Sequence, residues 1–343
     1  VSTVRHLEIK ISEAGPTNMR VEPAVLQDSL KSLLKQGEVI EVDTVQTGNL
    51  KFYGLNDFGK PGDIARLRAF KDWHNMFLNF SQKNEHCGLI LEKLLFDTVD
   101  NDLYHVIGAG PQFDDNGDLI KLPGAEVLSY GGKLIYKVES GAGFDQFLIH
   151  KDTDIPMGIE AKNKREWIYP ASLEVWRMIA RACTLECLPI LVSRKLSYIT
   201  RAGFFSNFGI LGFQSQFQYF SNSVNALSKY RFKQNVIAKE RLGFADIKLV
   251  KPTDTPPNHF LHFFNNILPA HVETYYNKFM ENKDILSKYA IEKGMAENNM
   301  SQRDRYKLYQ EFKEEAEYED IDWEENNAET DPFDDGEDQF EFK

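Results

Sequence analysis

Two short stretches decide how this chain reads: Gly143-Phe144-Asp145-Gln146-Phe147-Leu148-Ile149 and Gly158-Ile159-Glu160-Ala161-Lys162, whose Glu160 comes fifteen residues after Asp145. Both have the apolar content of buried strands. In a strand, side chains two apart share a face, so Glu160 and Lys162 project together while Ile159 and Ala161 point the other way, into a core. Asp145 and Glu160 on neighbouring strands make a hard oxygen site suited to Mg²⁺ or Mn²⁺. Such an ion polarises a phosphoryl oxygen and lowers the pKa of a bound water. Lys162 beside it can orient the attacking water and offset charge that builds on a phosphate. A Glu and a Lys two apart on an exposed strand also form an ordinary solvated pair, so the context of the two strands matters.

That context is favourable. Upstream, Leu89, Ile90, Leu91, Leu94, Leu95 and Phe96 leave almost no polar face on a helix spanning roughly His86–Asp97, and Glu92 sits within it. Short segments around Tyr104–Ile107, Glu126–Tyr130, Leu134–Val138 and Phe144–His150 alternate with the turn signals Asn116-Gly117, Gly131-Gly132 and Gly141-Ala142-Gly143. Downstream, Pro170 precedes a helix from Ala171 to about Glu186, and Leu188–Val192 reads as a buried strand. Strands, then a helix, then a strand predict an α/β core with a mixed sheet flanked by helices.

The order helix-Glu, strand-Asp, strand-Glu-x-Lys, helix, strand resembles the restriction-endonuclease-like fold of the PD-(D/E)xK nucleases, including Holliday-junction-resolvase-like and restriction enzymes. The resemblance spans about residues 85–195. It implies a metal-dependent endonuclease acting on DNA, with Asp145, Glu160 and the Ala161 carbonyl as ligands to Mg²⁺ (or Mn²⁺) and Lys162 as the catalytic lysine. Glu92 matches a helical glutamate that many members add, with Glu85 as its rival. Members often act as homodimers. Phe144 stands where many members carry proline, and about fifty residues separate Glu92 from Asp145, more than in compact resolvases.

Several basic residues are candidates for flanking phosphates: Lys164 and Arg165 past the Glu-x-Lys strand, and Arg194 and Lys195 past the next one. Gln214, Gln216 and Gln218 alternate with Phe213, Phe217 and Tyr219 in an expected strand over 210–220; they could read base edges or form a polar sheet face. Cys183 and Cys187 share a helix face without a second pair at zinc spacing and are expected as buried thiols. A catalytically inactive DNA-binding or regulatory protein on the same fold is the alternative.

The chain of 343 residues divides, on this reading, into a winged-helix-like module (1–57), the nuclease domain (58–252), a helical region (253–310) and an acidic tail (311–343). In the first module Val25, Leu26, Leu30, Leu33 and Leu34 recur at helical spacing after Pro23, before two strands joined at Thr47-Gly48-Asn49. The formal net charge of −12 would argue against nucleic acid, but sixteen acidic and two basic residues fall in 311–343, leaving +2 for the remainder. That tail is expected to be disordered, either as a solubilising segment or as one that folds back on a basic cleft or docks on a partner protein. No run of apolar residues is long enough for a bilayer. The first twenty residues do not read as a signal peptide, and three cysteines fit a reducing cytoplasm better than a disulfide framework.

Overall fold

The computed structural model describes residues 2–4, 7, 23–45, 50–83, 87–115, 117–122, 126–135, 143–164, 166–221, 247–251 and 254–318. It is a mixed α/β protein in two compact units; of the described residues, those up to 87 and 247–249 fall in the first, and those of 88–221 and 250–318 in the second.

In the first unit, α1 (Pro23–Gln36) starts on proline, which suits the first helical turn. It stops at Gly37, whose φ of 75° is left-handed. There Gly37 N–H and Glu38 N–H turn back onto the carbonyls of Leu34 and Leu33, a glycine-ended helix stop. Strands β1 (Val39–Val45) and β2 (Leu50–Leu55) pair antiparallel with a register shift between Glu41 and Asp43. These are the helix and the antiparallel strand pair that the sequence predicts; the expected turn at Thr47-Gly48-Asn49 lies outside the described residues. The unit also takes in α2 (Pro61–Lys83), whose Phe70 meets Phe52 edge-on at 5.6 Å, both rings buried. The module boundary therefore lies near 87, not 57. A helix with a hairpin is common to many small modules, and a winged helix remains a proposal.

The second unit opens with α3 (Cys87–Thr98), followed by β3 (Tyr104–Ile107). Two small hairpins come next, β4 (Gln112–Phe113) with β5 (Leu119–Lys121), and β6 (Ser129–Tyr130) with β7 (Lys133–Leu134). They occupy the stretch between Glu92 and Asp145, which accounts for its length. Then follow β8 (Gln146–His150), β9 (Pro156–Lys162), α4 (Leu173–Leu185), β10 (Leu188–Ser193) and β11 (Leu211–Gln214). The five-stranded sheet runs β11-β10-β9-β8-β3. Its β3, β8 and β9 form an antiparallel meander, while β9, β10 and β11 are parallel. All six residues of β10 are buried, as expected for a parallel strand covered on both faces.

One face of the sheet presents Leu148, Met157, Ile159, Ile190 and Val192 to α3 and to the helical run that continues through α5 (Leu268–Glu281). Phe260, Phe263, Phe264 and Leu268 of that run are at most 2% exposed, so the region from 253 belongs to this core and is not a separate appendage. The other face meets α4 and α6 (Gln302–Glu315), where Trp176, Phe204 and Phe312 pack with ring centroids 5.3–5.8 Å apart. Ser301 caps α6 by accepting from Asp304 N–H at 3.1 Å. The expected tail boundary at 310 thus falls inside a helix, and Phe312 is wholly buried; residues 319–343 lie outside the described residues.

The single strand expected over 210–220 is broken. β11 ends at Gln214, and β12 (Gln218–Ser221) begins anew after Gln216, whose φ is 63°. Ser215 and Gln216 N–H groups still donate to the carbonyls of Ser193 and Arg194, and the chain then turns at the left-handed Gln216, where Phe217 N–H bonds back to the Ser215 carbonyl. Among the described residues no helix is long and apolar enough to cross a membrane.

Replacing Phe312 with alanine should cost about 3–5 kcal/mol of stability, the usual penalty for emptying a buried phenylalanine site. Urea unfolding measures it; a change near zero would mean that α6 does not close the core.

Candidate active site

The site grows from β9. Its alternation places Ile159, fully buried, and Ala161 against the α3 side of the sheet, and leaves Glu160 and Lys162 on the α4 side. Antiparallel pairing sets Gln146 opposite Ile159, and the Asp145 carboxylate extends that ladder by accepting from Ala161 N–H at 2.7 Å. Asp145 therefore sits one residue ahead of β8 and not within it. Gly158 is required here: a Cβ on it would lie 2.5 Å from the Phe144 ring that packs across β9.

Asp145, Glu160 and Lys162 line one pocket of about 260 Å³, with Glu126, Glu174 and Arg181. Glu160 is 4% exposed and both its oxygens are engaged, Oε1 by Lys162 Nζ and Oε2 by Arg181 of α4. Glu126 accepts from Gly143 N–H at 2.6 Å and ties the loop before Asp145 to the pocket rim. Burial, and then the nearby Glu160 charge, push the Asp145 carboxyl well above the ordinary range, only partly offset by Lys162. Burial also acts against the charge on Lys162, but Glu160 and Asp145 outweigh it and hold that amine above its usual value.

Glu92 is raised to about 7, by burial first, with Lys162 opposing and Glu126 and Glu160 adding to the rise. It lies within the electrostatic reach of the site but does not line the pocket. Among the described residues no three His, Cys, Asp or Glu side chains stand together as a ready-made metal cage. Two carboxylates nonetheless suit Mg²⁺, which keeps several waters and is often held by one or two carboxylates. Asp145 and Glu160 are the two carboxylates of the pocket that could hold such an ion.

The other predicted residues divide. Lys164 is exposed at the pocket edge, paired with Glu174. Arg165 and Glu85 lie outside the described residues. Arg194 and Lys195 are 0% and 8% exposed, which removes them from the surface a phosphate could reach; they follow β10 into the interior and do not end it at solvent. Gln214 accepts from Leu196 N–H, and Gln218 donates to the Asn163 carbonyl, so these amides secure the loops beside β10 and β9. Cys183 and Cys187 are free, buried thiols, with Cys183 pushed by burial to about 12. Arg181 was missed. Its sequence signal is a charge flanked by Ala180 and Ala182, one turn from Met178 and Leu185 on a helix whose neighbouring positions are apolar.

No family model matches the chain, and neither does any curated protein or solved structure compared with it.

Folded Glu92 takes up its proton near pH 7, against 4.5 for the ordinary carboxyl, so the folded state binds the extra proton between those values and stability falls as pH rises through them. Glu92→Gln should therefore melt higher than the parent above pH 7 in chelator, and the gap should close below pH 4.5. Differential scanning fluorimetry across that range checks it.

Proposed function

We propose that this protein is a metal-dependent endonuclease that hydrolyses DNA phosphodiester bonds, of restriction or DNA-processing type. The observation that carries the reading is the convergence of Asp145, Glu160 and Lys162 in one pocket at the ends of two adjacent antiparallel strands. The element order supports it: helix α3, the meander β3-β8-β9, helix α4 and the parallel strand β10 follow the succession expected of a restriction-endonuclease-like fold.

In this reading Asp145 and Glu160 hold Mg²⁺ or Mn²⁺, with the Ala161 carbonyl as a further ligand. The ion, when bound, supplies Lewis acidity toward a phosphoryl oxygen and a more acidic water. Lys162 releases Glu160 and turns its ammonium toward the attacking water and the phosphate, where negative charge develops. Arg181 retains Glu160 when Lys162 leaves. Glu92 tunes the field from α3. Lys164 meets a phosphate beside the cut, and the N-terminal module, read as winged-helix-like, adds DNA contacts. The free thiols fit a reducing cytoplasm. A homodimer would supply one site per strand, and the acidic segment beyond 318 would engage a basic groove of a partner or of this chain.

A second reading has an observation of its own. Lys162 and Arg181 together neutralise Glu160, as in a purely structural ion network; the protein would then be an inactive DNA-binding or regulatory relative on the same fold.

Plasmid DNA incubated with Mg²⁺ or with chelator separates the two. Under the first reading the wild type cuts only with metal, and Lys162→Ala and Asp145→Ala, folded by circular dichroism, lose at least about 10²-fold in rate. DNA retention without cutting favours the inactive relative. Cleavage that survives both substitutions would sink the assignment of the site.

A further inference from the structure

The two cations on Glu160 are not equivalent. Lys162 stands two residues away on the same strand, its side chain 21% exposed toward the pocket, on a flexible four-carbon stem. Arg181 comes from α4, its side chain 6% exposed, between buried Ala180 and Ala182 on a helix face closed by the core. An apolar residue of similar volume would fill that position without the penalty of burying a guanidinium. The carboxylate itself needs holding, because the terminal torsion of a glutamate has broad minima and does not fix the plane of its oxygens. A planar guanidinium set in a packed helix can fix it.

We propose that Arg181 is a positioning residue that clamps Glu160 through Oε2, so that Oε1, held by Lys162 in this structure, is the oxygen presented to a divalent cation. This rests on the reading of the pocket as a metal centre. Arg181 lines the pocket, and in this proposal it acts through Glu160 and not on the ion or the phosphate directly. Lys162 can then exchange its place at Oε1 for the ion while the ligand stays oriented, and the amine is set free beside the phosphate.

The proposal predicts a sign that charge alone reverses. Coulomb's law says that removing a guanidinium from beside a cation site should make the cation bind more tightly. A lost orienting contact should make it bind more weakly. Mn²⁺ binding to the full chain without DNA, followed by loss of the free-ion electron paramagnetic resonance signal, distinguishes them. Wild type, Arg181→Gln and Arg181→Lys are compared, with melting curves in chelator to establish folding. Affinity should fall by about 10- to 100-fold in Arg181→Gln, as for other residues that orient metal ligands. Arg181→Lys, which keeps the charge but not the planar fork, should fall between. Equal affinities in the folded proteins would overturn the clamp. Tighter binding in Arg181→Gln would also overturn it, showing that the guanidinium merely occupies the place of a cation. Should Arg181→Gln not fold, Arg181→Lys alone decides, with unchanged affinity against the proposal. A wild type that takes up no Mn²⁺ removes the metal reading itself, and the clamp with it.

Discussion

Sinking the Glu160 carboxylate into the protein demands a partner for each of its oxygens, because a buried charge left unpaired is among the most expensive features a fold can carry. Much of the surrounding architecture answers to that demand. Lys162 must share a face with Glu160, so β9 must run straight through both. Arg181 must reach over from α4, so that helix must cross the sheet at this strand. The Phe144 ring covers β9 at Gly158, where no side chain could be accommodated. Helix α4 is anchored in turn by Trp176, which packs against Phe204 and Phe312.

The remaining carboxyls are less well provided for. Asp145 has the Ala161 N–H but sits beside Glu160, and Glu92 is enclosed with Glu126 and Glu160 in its field. Burial first, and then these neighbouring charges, raise both, so the folded chain holds charge-prone groups under conditions that disfavour their charge. Perturbed groups gathered in a cleft are where chemistry tends to be found. The cost in stability is offset by two hydrophobic cores on either side of the sheet, each continuous from the meander to the C-terminal helices.

Much of this was legible in the residues. Period-two alternation in Ile159-Glu160-Ala161-Lys162 fixed which side chains share a face, and pairing with the preceding strand brought Asp145 alongside. The apolar helix with Glu92, the strand at Tyr104–Ile107 and the helix after Pro170 were recoverable from local pattern. What was not recoverable depends on contacts distant in sequence. Arg194 and Lys195 look like surface cations after a strand, and only the chain folding over them encloses them. The glutamines at 214, 216 and 218 show strand alternation, yet the left-handed backbone at Gln216 breaks the strand between them. Positions 311–318 look like the start of a charged tail because most of their side chains are polar; yet Phe312 and Tyr318 dock in the core beside Tyr309, and composition conceals so small an apolar minority. Arg181 reads as an ordinary helix charge until its partner on β9 is seen.

The docking of α6 also bears on the order in which the protein can assemble during synthesis. Trp176 and Phe204 have no cover from Phe312 until the ribosome has made and released the chain beyond that residue, more than a hundred positions after the Glu160–Lys162 strand. The nascent polypeptide thus carries the Glu160–Lys162 strand on an incompletely sealed scaffold, which transiently exposes an aromatic surface of the kind that recruits chaperones. On the proposed nuclease reading, a site whose rigidity waits on a late-emerging helix would be slow to gain competence.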